Sequence, residues 1–358
     1  MNTTIERDEK QIPPFGRDDN STSVRLASST RIGTVREGRW ARACALAGAA
    51  TWAVIAILAR IGVARVGAIE LLFLFAPLVI VPLGMELGRV LGEAGRLSEI
   101  ARRLQPIGAM LAVASMWIPI GKWAAISAAG WLLVCLVVAA DGLITVARLS
   151  QRRRAAESPA ATQPSSVAIA LAIARIDLSV GGAWLVASRI GWHPLGIQEP
   201  IGLLTAVHFH FAGFATATIT AATLSFSRQF GEQRWLQRVV ALVLVLPFLV
   251  AAGFVISPAL RMSAAILFSA SVAALAVFMR SWARLAEDAA ARTLLQIAAG
   301  SVFAAMLFSM AYAVVNFIGS DAITIPQMAS THGVLNAVGF CLPGLLGWLI
   351  VNNCSSIS

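Results

Sequence analysis

Apolar residues in this chain come in long blocks separated by short polar stretches. Ten blocks are read, approximately 43–59, 68–87, 106–121, 124–146, 167–187, 200–226, 239–256, 264–282, 293–318 and 328–351. Most reach the ~20 residues a helix needs to cross about 30 Å of hydrocarbon. The expected fold is all-α, a polytopic transmembrane helix bundle of about ten spans. The third block is short and ends at Lys122, so it is expected to tilt little, to thin the bilayer or to be re-entrant.

Composition agrees with a membrane setting. Apolar residues make up 58% of the chain and charged residues 13%, against roughly 45–50% and about 25% in soluble domains. A net charge of +10 raises the question of nucleic acid, and the placement of the charges answers it. Alternate inter-span segments hold Arg31, Arg36, Arg39 and Arg42; Arg89, Arg96, Arg102 and Arg103; Arg148, Arg152, Arg153 and Arg154; Arg228, Arg234 and Arg238; and Arg280, Arg284 and Arg292. The intervening segments hold only Arg60, Arg65, Lys122, Arg189 and Arg261. Such alternation is the positive-inside pattern. It predicts a multi-pass protein of the bacterial cytoplasmic (inner) membrane with both termini cytoplasmic and the lipid bilayer as its partner. Nucleic acid is not an expected partner.

Residues 1–42 mix Arg, Asp, Glu, Ser and Thr and lack apolar runs, so a disordered cytoplasmic tail is expected. Residues 43–354 are expected to form one transmembrane domain, with a flexible cytoplasmic linker near 155–166. No short charged leader runs directly into an apolar core, so the first span is expected to stay as an anchor. Cys44, Cys135, Cys341 and Cys354 show no metal-ligand spacing and read as small packing residues.

The chemistry-bearing residues lie inside the spans. Three of the four histidines do so, two of them in the run His-Phe-His-Phe-Ala-Gly-Phe at 208–214. The segment from Pro200 to Phe214 aligns without a gap on Pro326 to Phe340. Pro, Thr205 on Thr331, Gly213 on Gly339 and Phe coincide, and His210 falls on Asn336. Both segments open an outside-to-inside helix, the sixth and the tenth, which suggests a parallel internal repeat relating them. At ~1.5 Å per residue, His210 and Asn336 each lie about 15 Å below their proline, and Asp177 reaches a similar depth from the other side. Arg175, His208 and His332 occupy neighbouring layers. Ionisable groups at such depth are expected to face the bundle interior and pair.

Residues two apart on a regular helix point to nearly opposite sides, so His208 and His210 cannot chelate one ion together. His332 and Asn336 share a face that Gly339 continues. The matching stripe on the sixth helix is Ala206, His210, Gly213 and Ala217. Packed together, the two stripes bring His210 towards His332 and Asn336.

Structural readings stand beside these. A buried histidine is commonly a donor to a backbone carbonyl or a hydroxyl, with Thr205, Ser330 and Thr331 at hand. Asp141 is a candidate partner for Arg175. Glu70 and Glu86 read as interfacial, and Glu199, just before Pro200, suits the positive end of the sixth helix. Its functional reading is the guard of an outer vestibule above His208 and His210, with Asn316 and Asp321 at the same mouth.

Four stretches carry a resemblance: Ile69 to Gly84, Glu199-Pro200, the 208–214 run, and Thr331 to Phe340. Together they resemble the YndJ-like family of bacterial integral membrane proteins. The resemblance implies a membrane bundle and singles out Glu70, Pro77, Pro82, Glu199, His208, His210, Gly213, His332, Asn336 and Gly339. It implies no substrate.

No nucleotide-binding glycine loop, His-Glu-x-x-His or clustered histidine boxes occur. Three functions compete. The first is binding or moving a small solute or ion at a midplane site of His208, His210, His332, Asn336, Asp177, Glu199, Thr205 and Thr331. The second is an intramembrane enzyme or electron carrier holding haem or a divalent metal through His208 or His210 and His332, with His210 and His332 as the metal pair. The third is a structural or partner-binding subunit.

Overall fold

The computed structural model describes residues 20–92, 95–155, 166–231 and 233–354, and among them regular structure is entirely helical. Ten helices follow one another: α1 Asn20–Arg60, α2 Ala68–Val90, α3 Arg96–Trp117, α4 Lys122–Ala155, α5 Ser166–Ile190, α6 Ile201–Phe230, α7 Arg234–Ile256, α8 Pro258–Ala283, α9 Ala289–Phe317 and α10 Ile325–Asn353. Hydrocarbon offers the backbone no partner, so a spanning segment must satisfy its own N–H and C=O groups, and the helix does so. Residues 1–40 form a unit apart from 41–358. Helix α1 begins at Asn20, inside the stretch read as a tail; residues 1–19 and 156–165 of the expected tail and linker lie outside the described residues.

Nine of these helices are long and apolar enough to cross a membrane, α1 through its segment Arg39–Arg60. The exception is α3, whose first turns carry Arg96, Glu99, Arg102 and Arg103. Its 22 residues start well before the apolar block that was expected to be short, and Pro106 lies inside the helix. It runs antiparallel along α4. The Gly95 N–H donates to Asp141 Oδ2 at one end (3.3 Å), and the Ser127 hydroxyl donates to the Leu111 carbonyl towards the other (2.8 Å). Position therefore makes α3 a full member of the bundle although composition does not.

Burial separates central from peripheral helices. Buried residues fill 78% of the most apolar window of α2 and 72% of that of α6, against 22% for α1 and 28% for α7. Helices α2 and α6 are thus the centre. Lipid gives apolar surfaces no reason to leave it, so close contact must come from small residues and van der Waals fit. At Gly84 of α2, a Cβ would fall 2.5 Å from the Phe214 ring of α6, so only glycine admits that ring.

Three helices depart from regular geometry at comparable places. Helix α2 is π-helical over Ala76–Ile80, α6 over Phe209–Ala215, and α10 over Ala329–Gly333 and Leu335–Cys341. In α2 the prolines explain part of this. Val81 donates to the Ala76 carbonyl, and Pro82 has no N–H for the Pro77 carbonyl. Gln105 of α3, itself buried, supplies the missing donor at 2.6 Å. In α6 the hydroxyls of Thr216 and Thr218 donate to the carbonyls of Phe211 and Phe214 (2.9 and 2.7 Å). The gapless alignment that places Pro200 on Pro326 also places Phe209 on Leu335 and Ala215 on Cys341. The two π segments therefore coincide residue for residue.

Candidate functional site

His210 is wholly buried, and both of its nitrogens are engaged. Nδ1 lies 2.8 Å from the Ala206 carbonyl, and Nε2 lies 2.9 Å from Nε1 of Trp131 on α4. A carbonyl only accepts, so Nδ1 carries the hydrogen; an indole N–H only donates, so Nε2 offers its lone pair. The ring is neutral and fully used. Phe73 of α2 meets it edge-on at 5.1 Å, and a Cβ at Gly181 of α5 would fall 2.5 Å from Nδ1. This corrects the expected pairing. His210 faces α2, α4 and α5, and its hydrogen bonds go to Trp131 and Ala206 instead of His332 or Asn336.

The small-residue stripe of α6 follows the same turn. A Cβ at Gly213 would fall 2.7 Å from Cβ and 2.9 Å from Oδ2 of Asp177, so the stripe packs on α5. Asp177 is buried, and its Oδ1 has no hydrogen-bond partner. On α10, a Cβ at Gly339 would meet Ser301 of α9 at 2.7 Å. The two stripes expected to pack on each other thus pack on other helices.

His208 differs from His210 in its surroundings. Its side chain is exposed although it opens the apolar-rich 208–214 run. Nδ1 is bonded to the Leu204 carbonyl at 2.7 Å, which by the same donor logic leaves the Nε2 lone pair free. Half-buried His332 of α10 repeats the arrangement, with Nδ1 2.9 Å from the Ala305 carbonyl of α9. Asn336 donates to the His332 carbonyl at 2.8 Å and lies 3.3 Å from each ring nitrogen; with Nδ1–H given to Ala305, Nε2 is the one that can accept from the amide. Helices α6 and α10 meet through the π segments Phe209–Ala215 and Leu335–Cys341 and through the turns that follow them, and α2 touches both helices along its length. The segments that carry His208 and His332, Ile201–His208 and Ala329–Gly333, both pack on Ala68–Phe75 of α2.

The remaining candidates take structural places. Glu199 Oε2 accepts the Leu203 N–H (3.1 Å), capping α6. Thr205 and Thr331 donate to the carbonyls of Ile201 and Gln327 in their own helices (2.8 and 2.7 Å). Glu70 is half-buried at the start of α2. Asn316 accepts from Arg261 at 2.7 Å, tying α9 to α8.

At the arginine-rich end, Arg175 and Asp141 lie 3.5 Å apart, as the sequence suggested. Glu86 corrects its interfacial reading: it is 3% exposed and pairs with Arg89 at 2.8 Å and Arg102 at 3.5 Å. Arg102, counted from sequence only as a loop charge, is itself buried and also bonds Glu99 at 2.9 Å. Trp131 and Gln105 were likewise missed, because their partners are a ring and a carbonyl on other helices. An apolar groove of about 530 Å³ between α1 and α3, lined by Val54, Ile55, Met110 and Trp117 among others, has no ionisable wall. Among the described residues, no three His, Cys, Asp or Glu side chains gather into a metal cluster.

Comparison with known proteins places this geometry in a family. The chain is 31% identical over 181 residues to a Bacillus subtilis (strain 168) protein named uncharacterized membrane protein YndJ, a match covering 49% of this chain and 31% of that protein. The chain thus spans about a third of the length of that relative. No solved structure matches. The family model described as YndJ-like protein matches residues 71–340, from the first turn of α2 to the second π segment of α10. A match over most of the chain, through helices α3 to α9, carries the conclusion: this chain is a polytopic helical membrane protein that belongs to the YndJ-like family.

Proposed function

We propose that α6 and α10 form, over Ala68–Phe75 of α2, a polar cleft that binds a small polar solute or ion, with His208, His332 and Asn336 as its ligands. The observation that carries this is His208. An exposed imidazole inside a membrane-spanning helix costs free energy unless it serves a polar path or partner. With Nδ1 bonded to the Leu204 carbonyl, its Nε2 is left to accept from a solute. By contrast His210, with both nitrogens satisfied, acts as a structural group that ties α6 to α4. Asp177 supports α6 from the α5 side and is not a cleft ligand.

The alternation of arginines supports a bacterial cytoplasmic membrane location with both termini in the cytoplasm. The cleft then lies nearer the extracytoplasmic face, because α6 and α10 enter from there. Reconstituted protein should take up or bind a member of a panel of small polar solutes and monovalent ions, and His208→Ala and His332→Ala should each lower that activity at least tenfold. His210→Gln should lower stability and leave the residual activity per folded molecule unchanged. An inert panel, or activity indifferent to His208→Ala and His332→Ala, sinks the reading in favour of a structural subunit.

A further inference from the structure

Asp177 of α5 is 1% exposed, its Oδ1 has no hydrogen-bond partner, and among the described residues no ion pair reaches it. Its carboxyl rests on backbone. A Cβ at Gly213, inside the π segment of α6, would fall 2.7 Å from the Asp177 Cβ and 2.9 Å from Oδ2. The charged and titratable groups on the neighbouring helices are engaged elsewhere. Arg175, two residues away and so on nearly the opposite side of α5, lies 3.5 Å from Asp141 of α4. His210 of α6 gives its two nitrogens to Ala206 and Trp131, and Glu86 of α2 pairs with Arg89 and Arg102. The Cys135 thiol of α4 lies against Gly182, more than a turn along α5 from Asp177. Burying a charge is costly unless it is paired and hydrogen-bonded, and the neutral acid avoids that cost.

A route for the proton lies on the arginine-rich side. A cavity of about 10 Å³, room for about one water, is lined by Gly84 and Gly88 of α2, Ser98 of α3, Arg175 of α5, and Phe214 and Thr218 of α6, among others. Arg175 and Phe214 flank, in sequence, the touching pair Asp177 and Gly213. Ser98, in the first turn of α3, stands at the charged end of that helix. We propose that Asp177 is an intramembrane proton-binding site: it holds its proton against the π segment of α6 and exchanges it with the arginine-rich side by way of this water-sized cavity. Loss of the proton leaves a charge pressed on Gly213, so proton occupancy and the seating of α6 on α5 are linked. The site is independent of the cleft at His208 and His332.

Infrared difference spectroscopy of the purified full chain in detergent tests this. Exposed carboxyls are ionised at neutral pH, so a carbonyl stretch of the un-ionised acid reports a protected one. Such a band is expected at neutral pH, lost in Asp177→Asn, kept in Glu70→Gln, shifted to lower frequency within minutes of transfer to D₂O, and falling reversibly as pH is raised. Gly213→Ala, which crowds Oδ2, should move the band. The D₂O and pH measurements use the parent protein, so they decide the matter even where Asp177→Asn fails to fold. No band at neutral pH, a band that survives Asp177→Asn at the parent elution volume, or a band unchanged in D₂O or at alkaline pH overturns the proposal.

Discussion

The indole N–H of Trp131 donates to Nε2 of His210 across 2.9 Å, joining α4 to the π-helical segment of α6 inside a fully buried contact. Because the indole can only donate, the bond defines what His210 does. A proton on Nε2 breaks it.

Trp131→Phe keeps the ring and removes the donor. His210 Nε2 is then buried without a partner, which costs about 1–3 kcal/mol. Thermal unfolding in detergent should show a clear fall in midpoint, while His208-dependent solute binding at low temperature persists. A midpoint equal to that of the parent protein would mean that the bond contributes nothing.

Gly213 and Gly181 stand where α5 and α6 touch. A methyl at Gly213 meets the Asp177 carboxylate, and one at Gly181 meets the His210 ring. Each Gly→Ala substitution should cost about 1–3 kcal/mol through overpacking. Gly300 of α9, where a Cβ meets nothing within 4 Å, is the control: Gly300→Ala should be neutral or slightly stabilising, since alanine favours helix. Equal effects at all three positions would contradict the packing described.

Gln105 and Pro82 form a compensating pair. Gln105→Leu leaves the Pro77 carbonyl without a donor, at a cost of about 1–3 kcal/mol. Pro82→Ala restores a backbone N–H in reach of that carbonyl, so the double variant should recover part of the loss. A double-mutant cycle reads this as a coupling of about 0.5–3 kcal/mol. Strict additivity would show that the proline and the glutamine act separately.

At the basic end, Glu86 and Arg102 are both buried and paired. Each has a second partner, Arg89 for Glu86 and Glu99 for Arg102, so Glu86→Leu or Arg102→Met should each destabilise by less than the roughly 3–5 kcal/mol of a wholly stranded buried charge. Removing both should cost much less than the sum. Expression level and detergent half-life of the three variants check the ordering.

Much of the architecture is legible in sequence for a simple reason. The bilayer demands apolar length and self-satisfied backbone, and both are written in composition. The third helix escaped because its first turns are charged, and only its contacts with α4 show that it runs the full length. Depth was also legible, since rise per residue is fixed; it put Asp177 at a depth similar to that of His210, and the structure seats Gly213, about one turn beyond His210, against Asp177. Direction around the helix was not. The opposition of His208 and His210 follows from local geometry, but which of them faces α10 depends on neighbours and on a change of helical pitch. Nothing in Phe209–Ala215 marks that change except small residues of a kind that appear elsewhere on the same helix.

A π segment carries more residues per turn than the α-helix on either side, so it acts as a phase shift between the two halves of its helix. In α6 the half bearing His208 is rotated relative to the half bearing Thr216 to Ser227, and in α10 the same shift falls at the matching residues. Deleting one residue from Phe209–Ala215 restores regular pitch and turns everything before it by about 100°. That swings His208 out of the cleft while every side chain beyond the deletion stays where it is. The position of His208 is thus set by backbone length inside the span as much as by side-chain identity, and a single codon gained or lost there redraws that side of α6.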